Sequence, residues 1–586
     1  MRIALVSTPW PLFNRPSIQL GTLKAFISNK IPEVGVDTHH LYLKIAASLG
    51  YPIYEEISQS TWLAEPLYGA LLYPQHSESI ANFWKRRASR TRHCRELGFG
   101  RICEILRRAS QQIISSQDWS KYDLIGFSIC FSQLTSALYF IAQIHESAPD
   151  VPIVVGGSSC AGDLGGTLLS FPQISYVIQG EGELPLLDLV EDTAEVSHRM
   201  SDVRQVTDLD ELPPPDYDDY FKTLEALGPG KGFLPRIPVE MSRGCWWNRC
   251  AFCNLNLQWR GYRSKSKDKI LSELKYLSKK YQVLGFSFMD NLLPQKDLKV
   301  LFDHISSMDK DLELFAEIRA ATPRGVLSSM GKAGMREVQV GIEALSTALL
   351  KKINKGTTAM DNVEIMKHCE RPGFPRLTGN LIMEFPGSDS VDVQETLTAL
   401  DFVFPFRPLK AIPFWLGYGS PVWTNPRHYG LVKVFNHPNY RHVFPQSVLK
   451  NLITMIQGYH GQVREQRRLW RPVKRKVNEW AKRYRELHEG TNPEPILSYR
   501  DGGEFLIIRE RRTSDYSMTH KLKGTSRRIY LFCETQRHIE EILARFPSFA
   551  ADQIEGFLRM MVDNRLMFQE EKRFLSLAVP ANMLRG

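Results

Sequence analysis

Short apolar runs alternate with amphipathic stretches along most of this chain. In the first 190 residues, runs at 3–7, 124–128, 153–156 and 176–179 predict buried strands. Apolar positions at helical spacing predict helices over 21–28, 134–147 and 184–192. Such alternation builds a doubly wound parallel sheet, and ligands bind beyond the carboxyl ends of its strands. The rhythm resumes from Arg236 to about Asn425, with strands expected over 238–242, 284–289, 314–319, 337–342, 378–383 and 411–416. The helices between them fall over 269–281, 298–308, 326–333, 346–353 and 361–369. Six such units predict a partial (β/α)6 barrel of TIM type, with reactive residues at the strand carboxyl ends.

The pattern changes after about residue 430. A basic helical stretch is expected over 447–489, then strands over 495–499, 505–510 and 528–532. Helices over 535–545 and 551–563 follow, and a hairpin over 566–569 and 574–578 ends the chain. Strands, two helices and a short β wing make an α+β region that resembles a winged helix. The fold class is therefore α/β in three parts. A Rossmann-like domain spans 1–190, a linker 191–235, the partial barrel 236–425 and the winged-helix-like region 426–586.

Composition agrees with a soluble globular protein, at 43% hydrophobic and 24% charged residues. The longest apolar stretch, 124–144, is broken by Ser132, Gln133, Thr135 and Ser136, so no membrane span is expected. Nothing at the start reads as a signal peptide, and nine cysteines lack paired spacing; both point to the cytoplasm. The net charge of +10 is concentrated between Arg464 and Arg485, where ten Lys or Arg face two Glu. That distribution suits a solvated helix face better than a nucleic-acid site. The helix over 551–563, with two acids before its one Arg, is also poorly built for phosphate.

Cys245, Cys250 and Cys253 stand in Ser-Arg-Gly-Cys-Trp-Trp-Asn-Arg-Cys-Ala-Phe-Cys. Three thiolates can hold three irons of a four-iron, four-sulfur cluster and leave the fourth open. Structural zinc would want a fourth ligand nearby, and the next cysteine is Cys369.

The N-terminal strand ends collect glycines and small polar groups. Trp10 and Ser17 follow the first, Ser128 and Gln133 the second, Gly156 and Gly157 the third, and Gly180, Glu181 and Gly182 the fourth. Glycines let a bulky ligand approach the backbone, and four such ends together favour a flat cofactor.

These motifs resemble the cobalamin-binding domains fused to radical S-adenosylmethionine (SAM) enzymes, and 209–218 is similar to the segment joining the two parts. The barrel residues, Met289-Asp-Asn, Phe315-Ala-Glu-Ile-Arg, Gly341-Ile-Glu and Gly379-Asn, resemble the radical SAM domain in order. One departure is the cysteine spacing, C-x4-C-x2-C where C-x3-C-x2-C is commonest. Another is the missing D-x-H-x-x-G motif. His39 and His40 are expected at a surface or interface, and no protein histidine is expected on cobalt.

The resemblance implies a [4Fe-4S] cluster, SAM and cobalamin as cofactors. It implies SAM contacts at Phe252, Asp290, Glu317, Arg319, Glu343 and Asn380. It also implies methyl transfer from methylcobalamin to an unactivated carbon through a 5′-deoxyadenosyl radical. Arg15-Pro-Ser-x-x-Leu-Gly and Gly341-Ile-Glu-Ala-Leu-Ser are similar to radical SAM C-methyltransferases of ribosomal peptide (RiPP) maturation. The expected partners are a precursor peptide and an electron donor such as flavodoxin or ferredoxin. Two alternatives carry different substrates or chemistry: a small-molecule natural product that is methylated, cyclised or rearranged, and a nucleic-acid-binding redox sensor. Tyr418 and Tyr262 are the candidates for the final proton or hydrogen acceptor.

Overall fold

The computed structural model describes residues 1–192, 198–228, 232–488, 494–511 and 516–581. Parts of the expected linker and the last residue of the expected basic stretch lie outside them. The N-terminal sheet comprises β1 (Arg2–Ser7), β2 (Gly35–His40), β3 (Leu124–Ser128), β4 (Ile153–Gly156), β5 (Tyr176–Val177) and β6 (Arg199–Met200). Its order is β2-β1-β3-β4-β5-β6, and every pairing is parallel. Strand order reverses between β1 and β3, the place where such a sheet opens a crevice. The sheet runs on to Met200, past the expected boundary at 190.

Two features of this half differ from the sequence reading. Between Leu41 and Ser115 the chain forms six α-helices, a cap on the sheet that none of the expected elements covers. Asp37 to His40 form an edge strand, so His40 is buried between the rings of Tyr42 and Tyr220 and is not a surface residue. The linker helix Asp218–Ala226 closes over that edge and accounts for the burial.

The barrel strands are β7 (Arg236–Val239), β10 (Gly285–Phe288), β11 (Glu313–Arg319), β12 (Met335–Gly341), β13 (Arg376–Thr378), β14 (Asn380–Met383) and β15 (Lys410–Pro413). Between β7 and β10 lies a short antiparallel clasp, β8 (Ser242–Arg243) with β9 (Arg263–Ser264). Five strands order as β13-β12-β11-β10-β7, and a bridge from Glu343 to Leu381 carries the sheet on to β14 and β15. The expected strand over 378–383 is split at Gly379, where a Cβ would stand 2.9 Å from the Val340 carbonyl. Six βα units therefore form an open barrel, as the periodicity predicts.

A small antiparallel sheet, β16 (Leu416–Gly417), β17 (Lys433–Asn436) and β18 (Ile456–His460), follows, so the stretch expected as continuous helix contains a strand. The basic helix proper, Arg471–His488, buries Val473, Val477 and Trp480 and points its cations outward. The chain then forms β19 (Leu497–Asp501), β20 (Phe505–Arg511) and β21 (Ser517–Lys523). Residues 528–532, expected as a strand, lie in the helix Gly524–Phe532; a short apolar run does not distinguish the two by itself. A helix–strand–helix–helix order and the wing β22 (Arg537–His538), β23 (Met567–Glu570) and β24 (Arg573–Ser576) give winged-helix connectivity. β25 (Val579–Pro580) returns beside β19. Barrel and C-terminal region share one continuous apolar core. Among the described residues no helix is long and apolar enough to cross a membrane.

Candidate active site

The cysteine loop hangs from the β8–β9 clasp. Gly244, at φ +82°, stands at its base, where a Cβ would lie 2.2 Å from the Gly261 carbonyl. The loop is pinned at its centre: Ala251 N–H donates to Ile353 O at 2.8 Å, and Val422 N–H donates to Ala251 O at 3.0 Å. Cys245, Cys250 and Cys253 are all half-buried. Burial pushes the Cys253 thiol up to about 11, and Cys250 and Cys245 add to that shift, so the three lie within electrostatic reach of each other. Among the described residues no three such side chains converge as the ligands of one ion would.

The barrel ends bring charged groups to this loop. Arg319 donates to the Lys355 carbonyl at 2.5 Å and stacks over Trp246 and Trp247 at 5.3 and 4.7 Å. Lys355 pairs with Glu343 at 3.1 Å and sits 5.8 Å above the Phe252 ring. Burial, then the neighbouring Glu343, pushes Glu317 up to about 7, with Lys355 opposing. Asp290 is fully committed: it accepts from Met241 N–H at 3.1 Å and Ser242 Oγ at 2.6 Å, while burial pushes it up to about 7. It therefore braces the turn that leads into the cysteine loop. Asn380 lends its carbonyl to Glu343 N–H at 3.1 Å.

A cavity of about 490 Å3 lies between the carboxyl ends of the N-terminal sheet and this loop. Ser128, Gly156, Gly157, Gly180, Glu181 and Gly182 line it, as does Phe252. Trp10, Ser17 and Gln133 do not. Trp10 packs 5.1 Å from Tyr54; Ser17 caps the helix Ile18–Lys30; and Gln133 ties Thr8 O to Cys130 N–H at 2.6 and 2.9 Å. Among the described residues no histidine lines the cavity. Four large apolar side chains on the wall stay exposed: Phe131, Leu255, Met289 and Trp415. Local periodicity does not mark an apolar residue that faces a cavity, so the sequence alone puts none of the four on its wall. Neither candidate tyrosine lines the wall. The Tyr418 hydroxyl accepts from Asp163 N–H at 3.1 Å, and burial pushes the Tyr262 phenol up to about 12.

The cavity's two walls are joined by a buried ion cluster. Arg243, two residues before Cys245, donates to Glu181 at 2.8 Å, Glu183 at 2.6 Å and Glu240 at 3.0 Å. Arg263 also pairs with Glu181. Burial alone would favour a neutral Arg243, but the three carboxylates outweigh it and hold the guanidinium firmly charged. Glu181 thus faces the cavity with its carboxylate already used.

The sequence profile of the radical SAM superfamily matches residues 239–400. Residues 239–400 form a radical SAM domain. The chain is 28% identical over 303 residues to an uncharacterised methyltransferase of Pyrococcus horikoshii, covering 47% of this chain and 63% of that protein. It is 26% identical over 267 residues to an anaerobic magnesium-protoporphyrin IX monomethyl ester cyclase of Rubrivivax gelatinosus, covering 41% of this chain and 47% of that one. The chain thus spans less than two thirds of these relatives. Its fold is similar to that of the radical SAM methyltransferase TsrM from Kitasatospora setae, solved with cobalamin and a [4Fe-4S] cluster bound, at a TM-score of 0.52. That match has 13% sequence identity and covers 82% of this chain and 90% of TsrM. The parallel sheet precedes the radical SAM domain, in the order in which the motifs occur along the chain, and the cavity lies between them.

Proposed function

We propose that this chain is a cobalamin-dependent radical SAM C-methyltransferase acting on a ribosomally made peptide. The observation that carries the reading is the shared cavity. Glycine-lined strand ends form one wall, and the later arm of the cysteine loop forms the other. Exposed Phe131, Leu255, Met289 and Trp415 suit a broad apolar-faced ring system better than water. Ser287 Oγ and Asn291 Nδ2 are buried without partners among the described residues, as expected of groups that wait for a polar ligand such as SAM.

When bound, the iron–sulfur, SAM and cobalamin groups supply radical generation and a transferable methyl group. The protein's part is placement. Cys245, Cys250 and Cys253 would hold the irons. Arg319, Glu317 and Glu343 would orient the methionyl end and ribose of SAM, and Phe252 would border its adenine. Arg243 keeps the two cofactor walls at one separation. The apolar lining excludes water from a reactive carbon centre.

The C-terminal region supports a peptide substrate. β21 is an edge strand: the sheet order is β21-β20-β19-β25. The bond from Gly524 N–H to Glu504 O sets the parity of the ladder, so Leu522, His520 and Met518 bond inward to β20. The N–H and C=O groups of Thr519 and Lys521 then point outward, where an extended peptide can add as a strand. The cyclase relative favours a second reading, a small-molecule substrate and a cyclisation or rearrangement.

Anaerobic reconstitution with iron, sulfide, hydroxocobalamin, reductant and SAM tests the reading. Mass spectrometry should find 5′-deoxyadenosine and S-adenosylhomocysteine, with a methylated product when short peptides encoded beside the gene are added. Cys250→Ala should lose all three. 5′-Deoxyadenosine with no methylated peptide, but with a cyclised small molecule, would overturn the peptide assignment.

A further inference from the structure

The cysteine loop has two arms with different surroundings. The later arm, including Phe252, Asn254, Leu255 and Trp259, lines the cavity. The earlier arm, 246–249, takes no part in that lining, and Asn248 and Arg249 are exposed to solvent. This arm also holds the residue by which C-x4-C exceeds the commoner spacing. Asn248 adopts a left-handed conformation at φ +41°, so the added length turns outward there.

The arm is built around Trp247. Its indole N–H donates to Asn354 O at 2.9 Å, and its ring lies against Gly356, where a Cβ would come within 2.1 Å of it. Two guanidinium groups flank the ring, Arg319 at 4.7 Å and Arg249 at 5.5 Å. The first of these is also in electrostatic reach of the Cys250 and Cys245 thiols. Arg249, Trp247 and Arg319 thus form a continuous file of side chains from solvent to the thiols. Lys351 is exposed on the helix end next to Asn354. Among the described residues no carboxylate pairs with Arg249, Arg319 or Lys351, so the patch keeps its positive charge.

We propose that this outward arm, centred on Trp247 and Arg249, is the docking surface for an acidic one-electron carrier protein. The inference rests on the radical SAM chemistry proposed above, which requires an electron from outside. One electron leaves the carrier and enters the iron–sulfur group; no bond is made or broken. Electron tunnelling weakens steeply with distance, so a carrier must approach the thiols from the side the substrate cavity does not occupy. A half-buried tryptophan flanked by two arginines, with Arg249 open to solvent, is the composition of an interface centre, and a redox encounter needs only a small patch. The Arg471–His488 helix carries more charge. Its buried side, however, packs on the outside of the barrel, with Trp480 donating to Phe406 O and Lys476 to Leu397 O. Two of its cations are already paired, Lys476 with Asp401 and Lys482 with Glu486.

The test uses the reconstituted full chain and oxidised flavodoxin as a redox-inert acidic probe. Arg249→Glu should weaken binding roughly tenfold at low salt, and the wild-type affinity should fall as salt rises. Lys351→Glu, at the patch edge, should weaken it less. Lys474→Glu/Arg475→Glu on the basic helix should bind as wild type does. The rate of 5′-deoxyadenosine formation with reduced flavodoxin, divided by the rate with dithionite, should fall in Arg249→Glu by a similar factor. Wild-type affinity in Arg249→Glu would overturn the proposal, as would loss of binding in the helix variant alone. If dithionite drives no SAM cleavage in any protein, the chemical reading fails, and the binding titration still judges the surface.

Discussion

Arg243 reaches 2.8 Å across to Glu181, and 62 residues of sequence separate the two. One stands at the base of the cysteine loop and the other on the fourth glycine-rich strand end, so this pair joins the two walls of the cavity. Arg243 is only 5% exposed. Removing one partner of such a cluster leaves carboxylates buried and uncompensated. Arg243→Ala should therefore lower stability by roughly 3 kcal/mol or more. It should also reduce the iron and cobalamin retained after reconstitution. Chemical denaturation and metal analysis check both; an unchanged midpoint with full cofactor content would refute the joining role.

Ser128 lies at the carboxyl end of β3 and faces open cavity. Ser128→Trp should fill space meant for a flat cofactor without disturbing the core beneath. The variant should fold, keep its iron, and bind cobalamin at least tenfold more weakly by absorbance titration. Equal cobalamin affinity would place that cofactor elsewhere.

Thr519 directs its backbone outward from the edge of β21. Proline at an edge position whose N–H faces solvent leaves the ladder intact but removes the donor an added strand needs. Thr519→Pro should preserve the melting temperature within a few degrees and weaken binding of the substrate peptide, measured by fluorescence anisotropy. Peptide-free SAM cleavage should not change.

Glu534 fastens the winged-helix-like unit to the barrel, pairing with Arg324 at 2.7 Å and with Arg371, and accepting from Tyr499 at 2.9 Å. Burial opposes its charge, but Arg371, Lys367 and Arg324 prevail and hold it down to about 2, against an ordinary 4.5. A depressed carboxylate stabilises the fold above its unfolded value, and that contribution is lost as pH falls from about 4.5 through 2. Glu534→Gln should cost on the order of 2 kcal/mol at neutral pH. The gap from wild type should close on acidification across that window. A pH-independent gap in urea midpoints would show that packing alone accounts for the loss.

Much of this architecture was legible in the residues because strands and helices leave local signatures. The periodicity over 124–128, 134–147 and 153–156 coincides with the observed elements. Local pattern misleads where it and burial part company. The edge strand Gly35–His40 and the strand Ser517–Lys523 are polar enough to pass for loops. The helix Gly524–Phe532 contains a run apolar enough to pass for a strand. The helical cap over 41–115 buries apolar faces, but no strand alternates with its helices to set the strand–helix rhythm.

The sequence by itself determined the cysteine triad, the strand–helix rhythm and the glycines at strand ends, because each depends on spacing between near neighbours. Only the tertiary structure decided which polar groups are spoken for. Gln133 spans two loops, Asp290 braces a turn, and Glu181 answers Arg243 and Arg263. The structure also decided which apolar groups are left over for the cavity, Phe131 and Trp415 among them. A hydrogen-bonding group accepts whichever partner folding brings within reach, and those partners come from distant parts of the chain.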